Sequence, residues 1–484
     1  MKRQTGGYIT LYLALTLGIM MSLIFTLISG VRMQTIRLET EGVMDIGLHS
    51  IFGEYHRQLL EQYDLFYIDT TYGEGNPSID RVEEHLQYYM NENFEKERTG
   101  FGSYRDLTAI HCDNVLLEAY VRASDEEGQV LKRQIVEYMK SKKGLSLVED
   151  AAKNLNLIQS VNMDAGEINA QWDQAHEQIN ELLNERKRQL EEEFPEEEVE
   201  VSIDNPADYV RGTRGQGILQ MALPKGKTVS AVEIHPEYYF SHREALVGKG
   251  QLKNEENLIE AAAGRVLLQE YLFEKCGYYG NTLDKGVLAY QIEYLLKGES
   301  RDDENLKEVL EDILLIRQAA NTAYLFSSAD KQAEAETLAT IISAVLLLPE
   351  LVELIKLTIL FAWGYAESVR DIHILLDGNK VPVMKDDSSW NTSLLQLVNF
   401  TAYLEDYQRS EEGMDYRDYL EMFLYLNGEE KTLEKFMDIC EMDIRLTAGN
   451  EYFRMDGCLE AVRARASVTS GYGHSYDITR TFCY

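Results

Sequence analysis

After Met1-Lys2-Arg3 the chain carries no charge until Arg32, and the residues between are almost all apolar. A helix over Tyr8–Val31, at about 1.5 Å rise per residue, is about 36 Å long. That length crosses a hydrocarbon core of about 30 Å with some tilt. A cleaved secretory signal would need a shorter apolar stretch and a small residue at position −3. Cleavage after Ser29 or Gly30 would place Leu27 or Ile28 there, so the pattern predicts a retained transmembrane helix. Beyond Arg32 the period changes. Met44, Leu48, Ile51, Tyr55 and Leu59 recur at helical spacing, with Glu54, Arg57 and Glu61 between them. The helix is therefore expected to run into an amphipathic stem ending near Tyr63.

Further along, Asp64-Leu-Phe-Tyr-Ile-Asp69 and Asn114–Arg122 read as short strands, and Val130–Met139 as a helix. Ile168, Trp172, Ala175, Ile179 and Leu182 mark an amphipathic helix, followed by an acidic break at Leu190–Val199. Val199, Val201 and Ile203 alternate as an exposed strand would, and a hairpin is expected around Lys225-Gly226-Lys227. Leu252–Glu367 is helical in pattern, with Ser300-Arg-Asp-Asp303 resembling a capping box. Leu338–Tyr365 is very apolar, but its uncharged runs, 337–349 and 357–366, are short for membrane spans and read as core helices. Helices follow at Ser389–Leu404, Tyr416–Leu426 and Lys431–Arg445, and glycines at 471 and 473 divide a closing β-hairpin. The expected fold is mainly α with small β-sheets (α+β). A single N-terminal transmembrane helix continues into the amphipathic stem and a helix-rich ectodomain. The expected segments are 1–7 cytoplasmic head, 8–31 transmembrane helix, 32–160 stem helix and small αβ unit, 161–250 helix, acidic linker and hairpin, and 251–484 helical domain closed by the hairpin.

Charge narrows the partners. Forty-seven Lys and Arg against 82 Asp and Glu give −35, and every acid lies after Arg37. A nucleic-acid binder needs a basic face, so nucleic acid is not an expected partner. Lys2 and Arg3 before the apolar stretch place the N-terminus in the cytoplasm and the bulk outside. Small residues recur every fourth position through the span as Thr10, Ala14, Gly18, Ser22, Thr26 and Gly30. Such rows let helix backbones approach in lipid, and Ala14, Gly18 and Ser22 are the candidate packing residues. Because an i+4 row drifts around the helix, only three or four of its members can face one partner.

Catalytic and metal signatures are sparse. Gly226-Lys227-Thr228 ends like a phosphate loop, but Met221 stands where the earlier glycine is required. Cys112, Cys276, Cys440, Cys458 and Cys483 form no C-x-x-C pair and read mainly as free buried thiols, though Cys440 and Cys458 could pair in an oxidising compartment. His49 and His56, and His235 and His242, are seven apart without the further ligands a metal site needs. No catalytic residue, cofactor or metal is expected.

A short basic head with Gly6-Gly7, an uncut apolar helix and an amphipathic stem leading to a small αβ head together resemble the pilin and pseudopilin plan. The stretches Gly7–Met33, Glu41-Gly-Val-Met-Asp45-Ile, Glu54-Tyr-His-Arg57, Gln62-Tyr-Asp-Leu-Phe66, Phe436–Arg445 and Phe453-Arg-Met-Asp456-Gly-Cys resemble an uncharacterised family of bacterial membrane-anchored proteins. That family is similar to the TadE/TadG-like minor pseudopilins of tight-adherence (Flp) pilus loci. The resemblance implies placement at a Gram-positive cell surface, a role with pilus or secretion machinery, and no catalysis. One feature departs from the plan. The glutamate that typically stands five residues after a prepilin cleavage point is Tyr12 counted from Gly7 and Leu11 counted from Gly6. A minor, non-polymerising component therefore fits better than a main subunit. The expected partners are the bilayer and other membrane or pseudopilin-like proteins of the assembly. The alternative is a membrane-tethered extracellular binding module or sensor.

Overall fold

A computed structural model describes residues 6–96, 108–143, 164–193, 205–250 and 258–484. The fold is α+β: helices dominate, and one four-stranded antiparallel sheet is present among the described residues. The chain forms two compact units, each built from separate stretches. One comprises Met1–Ile135, Tyr239–Glu256 and Cys440–Tyr484; the other comprises Val136–Tyr238 and Asn257–Ile439.

The first unit is organised by one helix of 47 residues, Gly6–Phe52. From Tyr8 to Thr35 none of its residues is buried; Ile36 is the first. Thereafter Ile36, Val43, Met44, Leu48, Ile51 and Phe52 form one buried stripe, as a helical period of 3.6 requires. The stripe packs on the Ile79–Lys96 helix through Val82, Leu86, Met90 and Phe94, and on the sheet through Val115, Leu117, Val462 and Ala464. Gly47 permits the close helix crossing, since a Cβ there would stand 2.8 Å from Leu86 Cδ1.

The strands are β1 (Ile68–Asp69), β2 (Ile110–Arg122), β3 (Cys458–Ser470) and β4 (Ser475–Cys483). β3 is central. β2 pairs along one edge, while β1, at Cys458 and Leu459, and β4, from Ala461 to Thr469, share the other. The closing hairpin is thus present as expected, and the strand expected at Asn114–Arg122 begins earlier, at Ile110. The stem does not run unbroken to Tyr63. It stops at Phe52, where Gly53 N–H donates to the carbonyls of His49 and Ser50. A separate helix, Arg57–Tyr63, then starts under the cap of His56, whose Nδ1 accepts from Leu59 N–H at 3.2 Å.

The second unit is helical. Its centre is the Val352–Leu376 helix, buried almost continuously from Thr358 to Leu376, and packed by the Asp302–Ser327, Ala329–Leu346 and Ala165–Glu193 helices. The apolar 338–365 stretch is thus divided between two helices, Ala329–Leu346 and Val352–Leu376, with Pro349 opening the turn between them. Ile168, Trp172, Ala175 and Ile179 are all buried, as their spacing predicts, but the helix continues into the acidic run as far as Glu193. The strand expected at 199–203 lies outside the described residues. The hairpin expected around Lys225–Lys227 is corrected to a turn that follows a short helix, Ile218–Ala222. Ile218, Met221 and Ala222 bury at helical spacing, and Glu233 bridges instead to Arg301. Two further details differ. Ser389–Leu404 contains a 3-10 stretch, Leu394–Tyr403, rather than a regular helix. At 300–303 no side-chain cap forms: the helix starts one residue later than the box requires, with Arg301 at the cap position, and the Asp303 carboxylate accepts from the Arg301 guanidinium.

Candidate functional site

Three arrangements stand out, and the first is the exposed half of the long helix. Its apolar side chains, from Tyr8 through Leu17 and Phe25 to Val31, lie open. Covering each one is worth roughly 1.5–3 kcal/mol. Summed over the stretch this reaches tens of kcal/mol, against a typical net folding stability of about 5–15 kcal/mol. By length and composition this is the one helix among the described residues able to cross a membrane. Two of its hydroxyls are satisfied within the helix: Thr16 donates to the Tyr12 carbonyl at 3.0 Å and Thr26 to the Ser22 carbonyl at 2.8 Å. An apolar solvent requires such internal bonds. Gly18 and Ser22 lie in a shallow groove with Phe25, Thr26 and Gly30; Ala14 sits one turn before it, also exposed. A Cβ at Gly18 would meet nothing within 4 Å. Where the apolar stretch ends, the Arg32 guanidinium lies over the Tyr472 ring at 3.8 Å, and Arg480 approaches Glu41 and Asp45 at 3.6 and 3.5 Å. The β3–β4 hairpin therefore braces the helix at the point where charge begins.

The second is a cavity of about 540 Å³ in the helical unit. It is walled by Lys227, Tyr278, Tyr279, Tyr290, Tyr416 and Arg417, with Gly226, Gly280 and Gly378 at turns. Tyr279 is at the centre of the aromatic wall, its ring 5.8 Å from Tyr290 and 5.9 Å from Tyr416. Behind it lies Glu293, fully buried. Its Oε1 accepts from Tyr279 N–H and Tyr416 O–H, both at 2.9 Å, while Oε2 has no hydrogen-bond partner. Burial pushes this carboxyl from its ordinary 4.5 to about 7, the Tyr279 amide only partly opposing it. Gly226-Lys227-Thr228, which fails as a phosphate loop in sequence, forms part of this wall.

The third is a buried ionic cluster on the Val352–Leu376 helix. Glu367 and Asp371, one turn apart, both face Lys385, whose Nζ contacts Glu367 Oε1 and lies 2.5 Å from Asp371 Oδ1. The three side chains are 0–1% exposed. Arg317 Nε and Asn321 Nδ2 donate to Asp371 Oδ2 at 2.9 and 2.8 Å. Asn391 and Thr392 amides hold the two Glu367 oxygens at 3.0 and 2.8 Å. Burial opposes ionisation of Asp371, but Lys385 and Arg317 outweigh it and hold the carboxyl below its usual range.

In the αβ unit a further clasp ties Arg243 to Glu441 at 2.7 Å and to Asp456 at 2.8 Å, and Arg454 to Asp456 at 2.7 Å. It fastens the 239–250 stretch beside β3. Cys112, Cys276, Cys440 and Cys458 are buried and Cys483 is exposed, and none of the five is in a disulfide. No cluster of three or more metal-ligating side chains occurs among the described residues. Neither the tyrosine cavity nor the ionic cluster is announced by a local motif, because each is assembled from residues far apart in the chain.

The model of a family of unknown function, DUF5702, matches residues 196–470, more than half of the chain. The chain belongs to this family. The match begins after the N-terminal helix and takes in the tyrosine cavity, the ionic cluster and all of β3. No curated protein and no solved structure matches the chain.

Proposed function

We propose that the chain is a single-pass envelope protein with its N-terminus in the cytoplasm and its bulk outside the cell. In this reading it is a non-catalytic, pseudopilin-like or scaffold component of a pilus or secretion assembly. The observation that carries the reading is the division of one continuous helix. Its first half is apolar and bare, and its second half is the spine of a small antiparallel sheet. A helix built this way transmits the position of the bilayer directly to the folded head. Arg32 and the Tyr472 turn mark the level of the membrane surface, where aromatic and basic side chains sit comfortably. Lys2 and Arg3 favour the cytoplasmic side for the short end. Partner helices dock along the small residues Ala14, Gly18 and Ser22; a Cβ added at Gly18 would meet nothing within 4 Å.

Replacing Gly18 with Leu tests the docking. Affinity purification in mild detergent should lose the membrane partners while the protein itself stays membrane-bound. Unchanged partner recovery would refute docking through this row.

The tyrosine cavity supports a second reading, a tethered binding module. Aromatic faces beside Lys227, Asp415 and Arg417 suit a polar ligand with flat or ring-like parts. A Tyr279→Ala, Arg417→Ala double variant that abolished the cellular phenotype while leaving partner recovery intact would favour this reading over the scaffold.

A further inference from the structure

We propose that Lys385 and Asp371 join covalently through a side-chain amide, with Glu367 as the proton relay. The amine and the carboxylate are already in contact, with Nζ 2.5 Å from Oδ1, yet Oδ1 accepts no hydrogen bond of proper geometry. The contact is therefore an approach of nitrogen to the carboxyl group outside hydrogen-bonding angles. Solvent, which would compete for the amine, barely reaches the reacting side chains: Lys385 is 1% exposed and both acids 0%. The Trp390 ring lies 5.9 Å from Nζ, and Trp363 meets Trp390 edge-on at 5.6 Å.

The surroundings assign the roles. Arg317 and Asn321 hold Asp371 Oδ2, so that oxygen is stabilised as charge develops on it and becomes the amide carbonyl oxygen. Glu367 touches the same amine and is fixed by two backbone amides. It takes a proton from Nζ and passes it to Oδ1, and carries a second across once the new bond has formed. Nζ then bonds to Cγ of Asp371 and the Cγ–Oδ1 bond breaks. Of the three protons on the ammonium group, one stays on the amide nitrogen and two leave with Oδ1 as water. No oxidant, reductant or co-substrate is needed. A cavity of about 250 Å³ bounded by Lys380, Pro382, Lys385 and Ser389 receives the water.

The amide removes two of the cluster's buried charges and leaves two. Glu367 keeps the Asn391 and Thr392 amides. Arg317 is left with neutral oxygens, and it already donates to the carbonyls of Pro382 and Val383 and to Asn321 Oδ1. The link would staple the 380–393 loop to the central helix of the unit.

Intact mass spectrometry of the full-length purified protein tests this directly. The expected mass is lower than the sequence mass by one water. Trypsin should release a branched pair in which the 371–380 peptide carries the 381–409 peptide, uncut at Lys385. Glu367→Gln and Lys385→Arg should each restore the unmodified mass of their own sequences. A wild-type protein of full sequence mass that is cut after Lys385 overturns the proposal and leaves an ionic cluster only. So does a Lys385→Arg variant that still lacks one water.

Discussion

Glu293 offers a sharp test of the packing behind the tyrosine cavity. It is fully buried with one oxygen unpartnered, and burial raises its carboxyl from 4.5 to about 7. In the unfolded chain the group ionises near its ordinary value. As pH rises from about 4.5 to about 7, the unfolded state releases its proton first, so the group progressively disfavours folding. Below that window it costs nothing; above it the cost is complete. At about 1.4 kcal/mol per pH unit between the two values, the penalty comes to about 3 kcal/mol. Glu293→Gln keeps an acceptor for the Tyr279 amide and cannot ionise. The variant should match the wild type near pH 4 and exceed it by about 3 kcal/mol near pH 8. Urea unfolding followed by tryptophan fluorescence is the assay, because Trp172, Trp363 and Trp390 all belong to the helical unit. A stability difference that stays constant from pH 4 to pH 8 would refute the reasoning, whatever its size.

Leu48→Ala, in the buried stripe of the long helix, should destabilise the αβ unit by about 2–5 kcal/mol, read by hydrogen exchange at β3 amides, without releasing the protein from membranes. Glu441→Ala removes the fully buried acid between Arg243 and Arg445. It should cost about 3–5 kcal/mol and open the 239–250 stretch to limited proteolysis. Cys112 and Cys458, whose thiols burial pushes upward, should resist a maleimide in the folded protein while exposed Cys483 reacts; equal labelling would contradict the burial.

Much of the fold is legible in the sequence where the signal is local. The charge gap from Arg3 to Arg32 marks the bare half of the helix, and the 44-48-51 spacing marks the face that packs. Ile168, Trp172, Ala175 and Ile179 announce their helix by period alone, and Gly471 and Gly473 divide the closing hairpin. Breaks are harder to read. Nothing in the apolar period distinguishes Tyr55 and Leu59 from the residues before them, yet Gly53 ends the helix and β1 draws Tyr55 to Ile68. The 217–234 stretch reads as a hairpin because two apolar runs flank Lys225-Gly226-Lys227, and tertiary packing overrides that preference. The candidate sites are less legible still. Glu367 and Asp371 look like an ordinary solvated helix face. They are buried because Arg317 and Lys385, distant in sequence, arrive to meet them. The four tyrosines of the cavity come from three separate stretches of chain, so no spacing rule brings them together.

The most direct test of the central claim is protease added to intact cells expressing the chain with a C-terminal epitope. An anchor at Tyr8–Val31 with the bulk outside predicts that the epitope is destroyed, while a cytoplasmic control protein survives and a short N-terminal fragment remains in the membrane pellet. An epitope protected until the cells are lysed, or a full-length protein recovered in the soluble fraction, would contradict it.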